Sequence, residues 1–216
     1  IAENFALLMA MDFDLILKTR SGRPAAQLKA EYADGSRPVI ILEMSERLQT
    51  EEYFMRVSRS EIHIRAGGRA GFIHAYHTLA QYMLALPPAE GREQIYPIKG
   101  VKITDMPAAE WRGAMLDVSR HMFPVEFILH YLDLLALHHY NVFHWHLTDD
   151  QGWRIAIPAY PKLTEIGAWR DDMTTDHGRY GGFYTRQDIG RVIEHAYRRG
   201  ISVVPEIDLP GHVSSA

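Results

Sequence analysis

The chain has 216 residues, of which 47% are apolar, and it carries a formal net charge of −4 and no cysteine. This length suffices for one large domain or two small ones, and the apolar fraction is ordinary for a globular protein with a buried core. The absence of cysteine excludes disulfides and thiolate zinc sites, and a chain without a basic excess is not expected to bind a nucleic-acid backbone.

Residues 1–104 are predicted to form a small α/β domain. The longest apolar run lies within residues 5–18, which are ambiguous between strand and helix, and it is shorter than the roughly 18–20 residues of a membrane span. The predicted strands are residues 39–42, 53–58 and 61–65. A helix follows Gly67 and Gly68 and ends before Pro87. Strands with one covering helix predict a two-layer α+β sandwich. Because the longest apolar run is too short, no membrane span is expected.

Residues 105–110 are interpreted as the crossing between two regions, and from Trp111 the pattern changes to alternating strands and helices. The predicted elements are a strand at 111–120, a helix at 124–140, a strand at 141–150, a helix at 185–199 and a strand at 201–209. Pro124 suits the first turn of the first helix, and Thr185 with Asp188 matches a capping box for the second, which Gly200 ends. This order predicts parallel strands joined by right-handed crossovers. The connection between residues 150 and 185 is too long for an ordinary loop and is expected to carry function.

Charged residues follow each of the three predicted strands of the second region. These strand ends are residues 117–121, 149–150 and 206–212. An arginine fork matches two neighbouring hydroxyls or a carboxylate, and an aspartate can hold a histidine in the tautomer that supports a catalytic acid. Because the carboxyl ends of parallel strands meet at one edge of a sheet, the following side chains are expected to lie close together: Arg120, Asp149, Asp150, Asp208 and His212.

Three tryptophans lie in or near these strand ends. Trp153 and Trp169 could each stack on the flat face of a sugar ring, and Trp153 is expected to be the more open position. Trp145 lies inside a strand, so core packing is the better interpretation there.

Two histidines allow a competing interpretation as a metal site. His144 and His146 lie two residues apart on one strand and therefore share a face, as the ligands of a metal-dependent barrel hydrolase would. Asp150 has the same strand parity as these histidines and Asp149 does not. Histidines in the body of a strand more often belong to the core. The sequence therefore predicts no metal, with a metal-dependent TIM-barrel hydrolase as the alternative.

Four motifs of the second region follow one another at Trp111–His121, His144–Arg154, Tyr180–Thr185 and Pro205–His212. In order and spacing they resemble the motifs of the β-N-acetylhexosaminidases of glycoside hydrolase family 20. The resemblance covers residues 111–212, and it also implies that residues 1–104 are the α/β domain that precedes the barrel in this family.

The fold implied by the resemblance is α/β, with the first three strands of an incomplete (β/α)8 TIM barrel at residues 105–216 behind the small α+β sandwich of residues 1–104. The implied activity is retaining hydrolysis of terminal β-linked N-acetylglucosamine or N-acetylgalactosamine, with no cofactor. The expected partners are carbohydrates such as chitooligosaccharides or glycoconjugates. The substrate's own 2-acetamido oxygen attacks the anomeric carbon, so no enzyme carboxylate forms the covalent bond.

The resemblance also assigns roles to individual residues. Arg120 would bind the 3- and 4-hydroxyls of the sugar, and Asp149 with His212 would form the catalytic pair that supports the general acid. Four further residues are expected to stand behind these three: His146, Asp150, Trp153 and Asp208. Arg112, at the start of its strand, is expected to be structural.

The family's adjacent Asp–Glu pair, whose glutamate donates the proton, has no match in residues 1–216. A full barrel takes about 250 residues, so we expect this chain to be the N-terminal part of an enzyme and to be inactive by itself, with the pair beyond Ala216. A non-catalytic carbohydrate-binding protein is the remaining alternative. No residue indicates a cellular location; family habit favours a periplasmic or secreted enzyme.

Overall fold

The computed structural model describes residues 27–29, 39–58, 61–84, 100–172 and 178–216. The ambiguous residues 5–18 and the predicted helix stop at Pro87 lie outside the described residues. The chain divides into two compact units, Ile1–Glu110 and Trp111–Ala216. Among the helices that are described, none combines the length and the apolar character needed to cross a membrane.

The described residues of the first unit form a five-stranded sheet and one long helix. Its elements are β1 (Gln27–Lys29), β2 (Val39–Met44), β3 (Tyr53–Val57), β4 (Glu61–Ala66), α1 (Arg69–Leu84) and β5 (Val101–Asp105). The strand order is β1-β2-β4-β3-β5, with β2 and β4 parallel and the other pairs antiparallel. The three predicted strands and the predicted helix are confirmed, and β1 and β5 are additional.

The core of the first unit follows from the alternation in its strands. Residues of β4 alternate between half-buried and buried positions, which directs Ile62 and Ile64 inward. Phe72, Tyr76 and Leu79 of α1 belong to the same buried cluster. The sheet and the helix therefore share one apolar layer.

The second unit is built on three parallel strands joined by helices. Its elements are β6 (Gly113–Asp117), α2 (Val125–Leu137), β7 (Val142–His146), β8 (Thr148–Asp149), β9 (Gly152–Trp153), α3 (Lys162–Glu165), β10 (Trp169–Asp171), β11 (Arg179–Gly181), α4 (Arg186–Arg198) and β12 (Ser202–Glu206). Strand β7 lies between β6 and β12 and is parallel to both. The predicted order of elements and the predicted parallel pairing are confirmed.

Local signals set the ends of the two long helices of this unit. Pro124 precedes α2 in an extended conformation, so the helix begins at Val125. Thr185 accepts a hydrogen bond from the backbone N–H of Asp188, whose carboxylate in turn accepts from the backbone N–H of Thr185. Gly200 follows α4 with a φ of 74°, a left-handed conformation that glycine adopts without strain.

The predicted strand at 141–150 is too long. Strand β7 ends at His146, and the chain then forms the short β8–β9 hairpin, in which Asp149 pairs with Gly152. The predicted parity between Asp150 and the histidines is wrong, because strand alternation does not continue past the end of β7.

The two faces of the parallel sheet differ in character. Phe143 and Trp145 of β7 are buried in a cluster with Ile128 and Leu132 of α2 and with side chains of α4. The opposite face presents two rows across the three strands, fixed by the parallel register. The upper row, at the carboxyl ends, is Asp117, His146 and Glu206, and the lower row is Met115, His144 and Val204. This face carries the polar groups of the candidate site.

Candidate active site at the carboxyl edge of the sheet

A buried carboxylate lies at the centre of the site. Asp149 is 1% exposed, and its Oδ2 lies 2.6 Å from Nη2 of Arg120 and 3.0 Å from Nε2 of His146. Its Oδ1 accepts from the backbone N–H of Asp150 at 2.7 Å and lies 3.2 Å from Nδ1 of His212. Burial tends to raise the pKa of Asp149, but these contacts outweigh it and the pKa is lowered. Asp149 is therefore the anion to which the other groups are attached.

Asp117 positions Arg120 from the end of β6. One oxygen of Asp117 accepts from the backbone N–H groups of Ser119 and Arg120, and the other accepts from Nη1 of Arg120 at 2.7 Å. Nε of Arg120 donates to Oε1 of Gln151 at 3.1 Å. The hydrogen bond to Asp117 is the main reason that the pKa of Arg120 is raised. The guanidinium is held on three sides and still keeps 42% of its side-chain surface exposed.

His146 and Glu206 form a second polar pair, which His146 joins to Asp149. Nδ1 of His146 lies 2.5 Å from Oε2 of Glu206, and the same oxygen lies 2.6 Å from Nε2 of His144. Burial lowers the pKa of His146, but the hydrogen bonds to Glu206 and Asp149 outweigh it and raise the pKa. The hydrogen bond from His146 is the main reason that the pKa of Glu206 is lowered.

His212 reaches the site from the segment after β12. Its backbone has a φ of 55°, which is unusual for a residue other than glycine, and its side chain is 61% exposed. Two hydrogen bonds fasten the following residues: the backbone N–H of Ser214 donates to Oδ1 of Asp150, and the hydroxyl of Ser215 donates to the backbone oxygen of Asp149. The β8–β9 hairpin and the segment after β12 are thereby held together.

The remaining predicted residues lie around this cluster. Asp150 is exposed, and its Oδ2 is 3.9 Å from Nδ1 of His212. Asp208 is partly buried, and its backbone N–H donates to Oγ1 of Thr148 at 3.0 Å. Ligand-type atoms of Asp208, His146 and Glu206 lie within 4.8 Å of one another. The structure therefore brings Arg120, Asp149 and His212 into direct contact and places Asp208 beside Glu206.

The tryptophans differ from the prediction at one position. Trp153 is 4% exposed, and its Nε1 donates to the backbone oxygen of Ile155, so its ring is packed and not open to a ligand. Trp145 is buried in the core, as predicted. Trp169 is partly exposed and lines a cavity of about 640 Å³ beside the site, whose wall also includes Asp150 and Gln151.

Two groups of side chains have the donor atoms that a metal ion would need. Ligand-type atoms lie within 4.8 Å of one another in each group, His146 with Glu206 and Asp208, and Asp149 with Asp150 and His212. In the described geometry each ring nitrogen of His146 faces a carboxylate oxygen, so an ion would have to replace one of these contacts.

Arg154 is a buried arginine that ties the loops of the site together. It is fully buried, and its guanidinium donates to four backbone carbonyls: Val118, Ser119, Ala168 and Gly182. Burial lowers the pKa of Arg154. The segment that leads into Arg120 is thus attached to both sides of the long connection after β9.

Two residues of the network are absent from the predicted site. Asp117 and Glu206 flank His146 on the neighbouring strands, at the same level of the parallel register. Their signal in the sequence is that each is the last polar residue of its own strand, whereas the prediction favoured residues in the segments that follow.

Comparison with known proteins identifies the family. The family model described as glycosyl hydrolase family 20, catalytic domain, matches residues 110–216. The chain is 41% identical over 184 residues to a β-hexosaminidase of Vibrio furnissii, a match that covers 82% of this chain and 29% of that protein. The chain belongs to glycosyl hydrolase family 20.

Solved structures of family 20 proteins also match. A family 20 exo-β-N-acetylglucosaminidase of Vibrio harveyi, in complex with N-acetylglucosamine, superposes with a TM-score of 0.78 at 35% identity over 99% of this chain and 32% of that one. A β-N-acetylhexosaminidase of Bacteroides fragilis superposes with a TM-score of 0.71 at 40% identity over 82% of this chain and 34% of that one. These family 20 neighbours imply a TIM-barrel catalytic domain. The chain spans about a third of the length of the relatives it matches.

Proposed function

We propose that the complete protein is a retaining β-N-acetylhexosaminidase that removes terminal β-linked N-acetylglucosamine or N-acetylgalactosamine from carbohydrates. Family membership and the names of the relatives support this activity. The observation that carries it is the position of Asp149, whose two oxygens hold the Arg120 guanidinium and the His212 imidazole at the same time.

The fold that we propose for the second unit is the start of a (β/α)8 barrel. Strands β6, β7 and β12 would be its first three strands, and the polar face of the sheet would line the interior. A site at the carboxyl ends of the strands is the rule for such barrels. We propose that residues 1–104 form the α+β domain that precedes it, and that the barrel begins at about residue 105.

Arg120 is proposed to bind the sugar. Its guanidinium is oriented before substrate arrives, because Asp117 and Asp149 hold different nitrogens of the fork. The exposed part of the fork can then donate to two neighbouring hydroxyls, the 3- and 4-hydroxyls of the ring. A preoriented donor loses little conformational entropy when it binds.

Asp149 and His212 are proposed to support the general acid. With Nδ1 of His212 bonded to Asp149, Nε2 is the nitrogen left to contact an acidic side chain. His146, Asp150 and Asp208 stand behind this pair, and Trp153 is buried in the hairpin that carries Asp149. The general acid is not assigned to any residue between 1 and 216.

The bond chemistry proposed is substrate-assisted. The 2-acetamido oxygen of the substrate attacks the anomeric carbon while the general acid protonates the leaving oxygen, and water then opens the cyclic intermediate with retention. Neither a cofactor nor a metal is part of the proposal.

The activity can be tested on the complete gene product. An aryl N-acetyl-β-glucosaminide should release its chromophore, and the matched aryl β-glucoside, which lacks the acetamido group, should not. Absence of release from the first substrate, or equal release from both, would overturn the proposal.

A second measurement distinguishes the proposed enzyme from a metal-dependent hydrolase that uses His144 and His146. Dialysis against a chelator should leave the rate unchanged if the hydrogen-bonded network is the working state. Loss of the rate, with recovery on addition of a divalent ion, would favour the metal-dependent enzyme. A carbohydrate-binding protein without activity would bind N-acetylglucosamine and release nothing.

A further inference from the structure

Glu206 has a place in the site that the proposed function does not use. It ends β12 and lies beside His146 in the parallel register, so its carboxylate reaches across the face of the sheet. One of its oxygens contacts two imidazoles, Nδ1 of His146 at 2.5 Å and Nε2 of His144 at 2.6 Å. An oxygen in that position favours a proton on each of those ring nitrogens.

The other nitrogen of His146 can make only one of two hydrogen bonds at a time. Nε2 lies 3.0 Å from Oδ2 of Asp149 and 3.2 Å from Nη1 of Arg120. With a proton, Nε2 donates to Asp149. Without one, it accepts from Arg120, and its lone pair then faces the carboxylate of Asp149 at 3.0 Å. The presence of a proton on Nε2 therefore decides whether His146 donates a hydrogen bond to Asp149 or accepts one from Arg120.

We propose that Glu206 is a positioning residue that acts through His146 to hold Asp149 in place for His212. The chain of contacts is continuous, since Asp149 bonds His146 through one oxygen and His212 through the other. This inference rests on the proposed function, because the task assigned to Asp149 and His212 is support of the general acid.

The groups around His146 are consistent with an imidazolium. Asp117 and Arg120 face it from the end of β6, Asp149 from β8, and Glu206 from β12. His144, which lies on the same strand as His146, also contacts Glu206, and Asp208 lies near Glu206. A positive charge placed among these carboxylates offsets the unfavourable burial of Asp149. The raised pKa of His146 agrees with this arrangement.

The test is Glu206→Gln in the complete gene product, with Asp133→Asn as the matched control. Asp133 also joins two basic groups, His195 and Arg199, but it does so between α2 and α4, outside the site. Glu206→Gln should lower kcat about tenfold or more while KM changes less than about twofold, since the hydrogen bonds that Arg120 makes to Asp117 and Asp149 remain. Asp133→Asn should leave both constants unchanged and lower only the thermal midpoint.

The pH profile separates positioning from a merely structural role. Removing the charge of Glu206 lowers the pKa of His146, so the alkaline limb of kcat/KM should move to lower pH in Glu206→Gln and stay in place in Asp133→Asn. The shorter Glu206→Asp keeps the charge but withdraws it from the imidazole. Glu206→Asp should lower kcat and shift the alkaline limb of kcat/KM less than Glu206→Gln does. It replaces Glu206→Gln as the test if the glutamine variant does not fold. Wild-type kcat and limb position in either folded variant would overturn the inference.

A spectroscopic measurement reads the same contact without catalysis. In protein labelled with ¹⁵N-histidine, the His146 ring should lose its second proton at a lower pH in Glu206→Gln than in the wild type. If the wild-type protein releases no chromophore, the proposed function fails, while these resonances still decide whether Glu206 controls His146. The same His146 titration in the wild type and in Glu206→Gln would count against the inference.

Discussion

Arg120 and Asp149 form an ion pair, with 2.6 Å between Nη2 and Oδ2, that joins the segment after β6 to the β8–β9 hairpin. The pair is asymmetric, because the carboxylate is buried and the guanidinium is partly exposed. A buried charge that loses its partner is costly, so the arginine stabilises the site, and in the proposed function it also presents donors to the sugar.

Removal of Arg120 should weaken the action of the complete protein on its substrate. Arg120→Ala is expected to lower kcat/KM of the complete protein by about 10- to 150-fold, corresponding to the roughly 1.5–3 kcal/mol of a charged hydrogen bond. Arg191→Ala is the matched control, because Arg191 forms an exposed ion pair with Glu126 on the helical side of the unit. An unchanged kcat/KM in Arg120→Ala would exclude this arginine from substrate binding.

Arg154 should be a determinant of stability. Arg154→Met leaves the carbonyls of Val118, Ser119, Ala168 and Gly182 without the donors they now have. We expect the free energy of unfolding to fall by about 3 kcal/mol or more, measured by urea denaturation. Arg191→Met should change it by less than about 0.5 kcal/mol. A loss as small as that in Arg154→Met would mean that water can replace the guanidinium.

Trp153 should act on stability and not on substrate affinity. Trp153→Phe removes the hydrogen bond from Nε1 to the backbone oxygen of Ile155, with an expected loss of about 1–2 kcal/mol in unfolding free energy. KM for the aryl substrate should not change, because the ring is buried. A raised KM with unchanged stability would show instead that the ring meets the ligand.

Acid should destabilise the second unit through its carboxylates. The pKa values of Asp117, Asp149 and Glu206 are all lowered in the folded state. Such groups contribute stability that is complete above their unfolded pKa values, near pH 4, and that is lost as the pH falls through the folded values. Urea denaturation between about pH 6 and pH 3 should show this decline. Asp149→Asn should start less stable and decline less steeply.

The features that the sequence predicts well in this chain have local causes. Thr185, Asp188 and Gly200 define the ends of α4 through contacts within a few residues. Parallel pairing of β6, β7 and β12 follows from the alternation with helices, and the meeting of Arg120 with Asp149 follows from that pairing.

The features that it predicts poorly depend on register and on the folding of the long connection. Periodicity does not reveal that Glu206 lies opposite His146, because that requires the offset between two strands. The end of β7 at His146 depends on the β8–β9 hairpin. The burial of Trp153 depends on the same hairpin and on backbone distant in sequence, since its own N–H bonds the carbonyl of Gly167.

The left-handed backbone at His212 bears on how this imidazole can be studied. Histidine enters this region of backbone torsion angles more readily than alanine does, so His212→Ala changes the backbone preference as well as removing the ring. Asparagine tolerates such torsion angles much better and still offers an amide to Asp149. A comparison of the two replacements would therefore separate what the ring contributes from what the main chain demands.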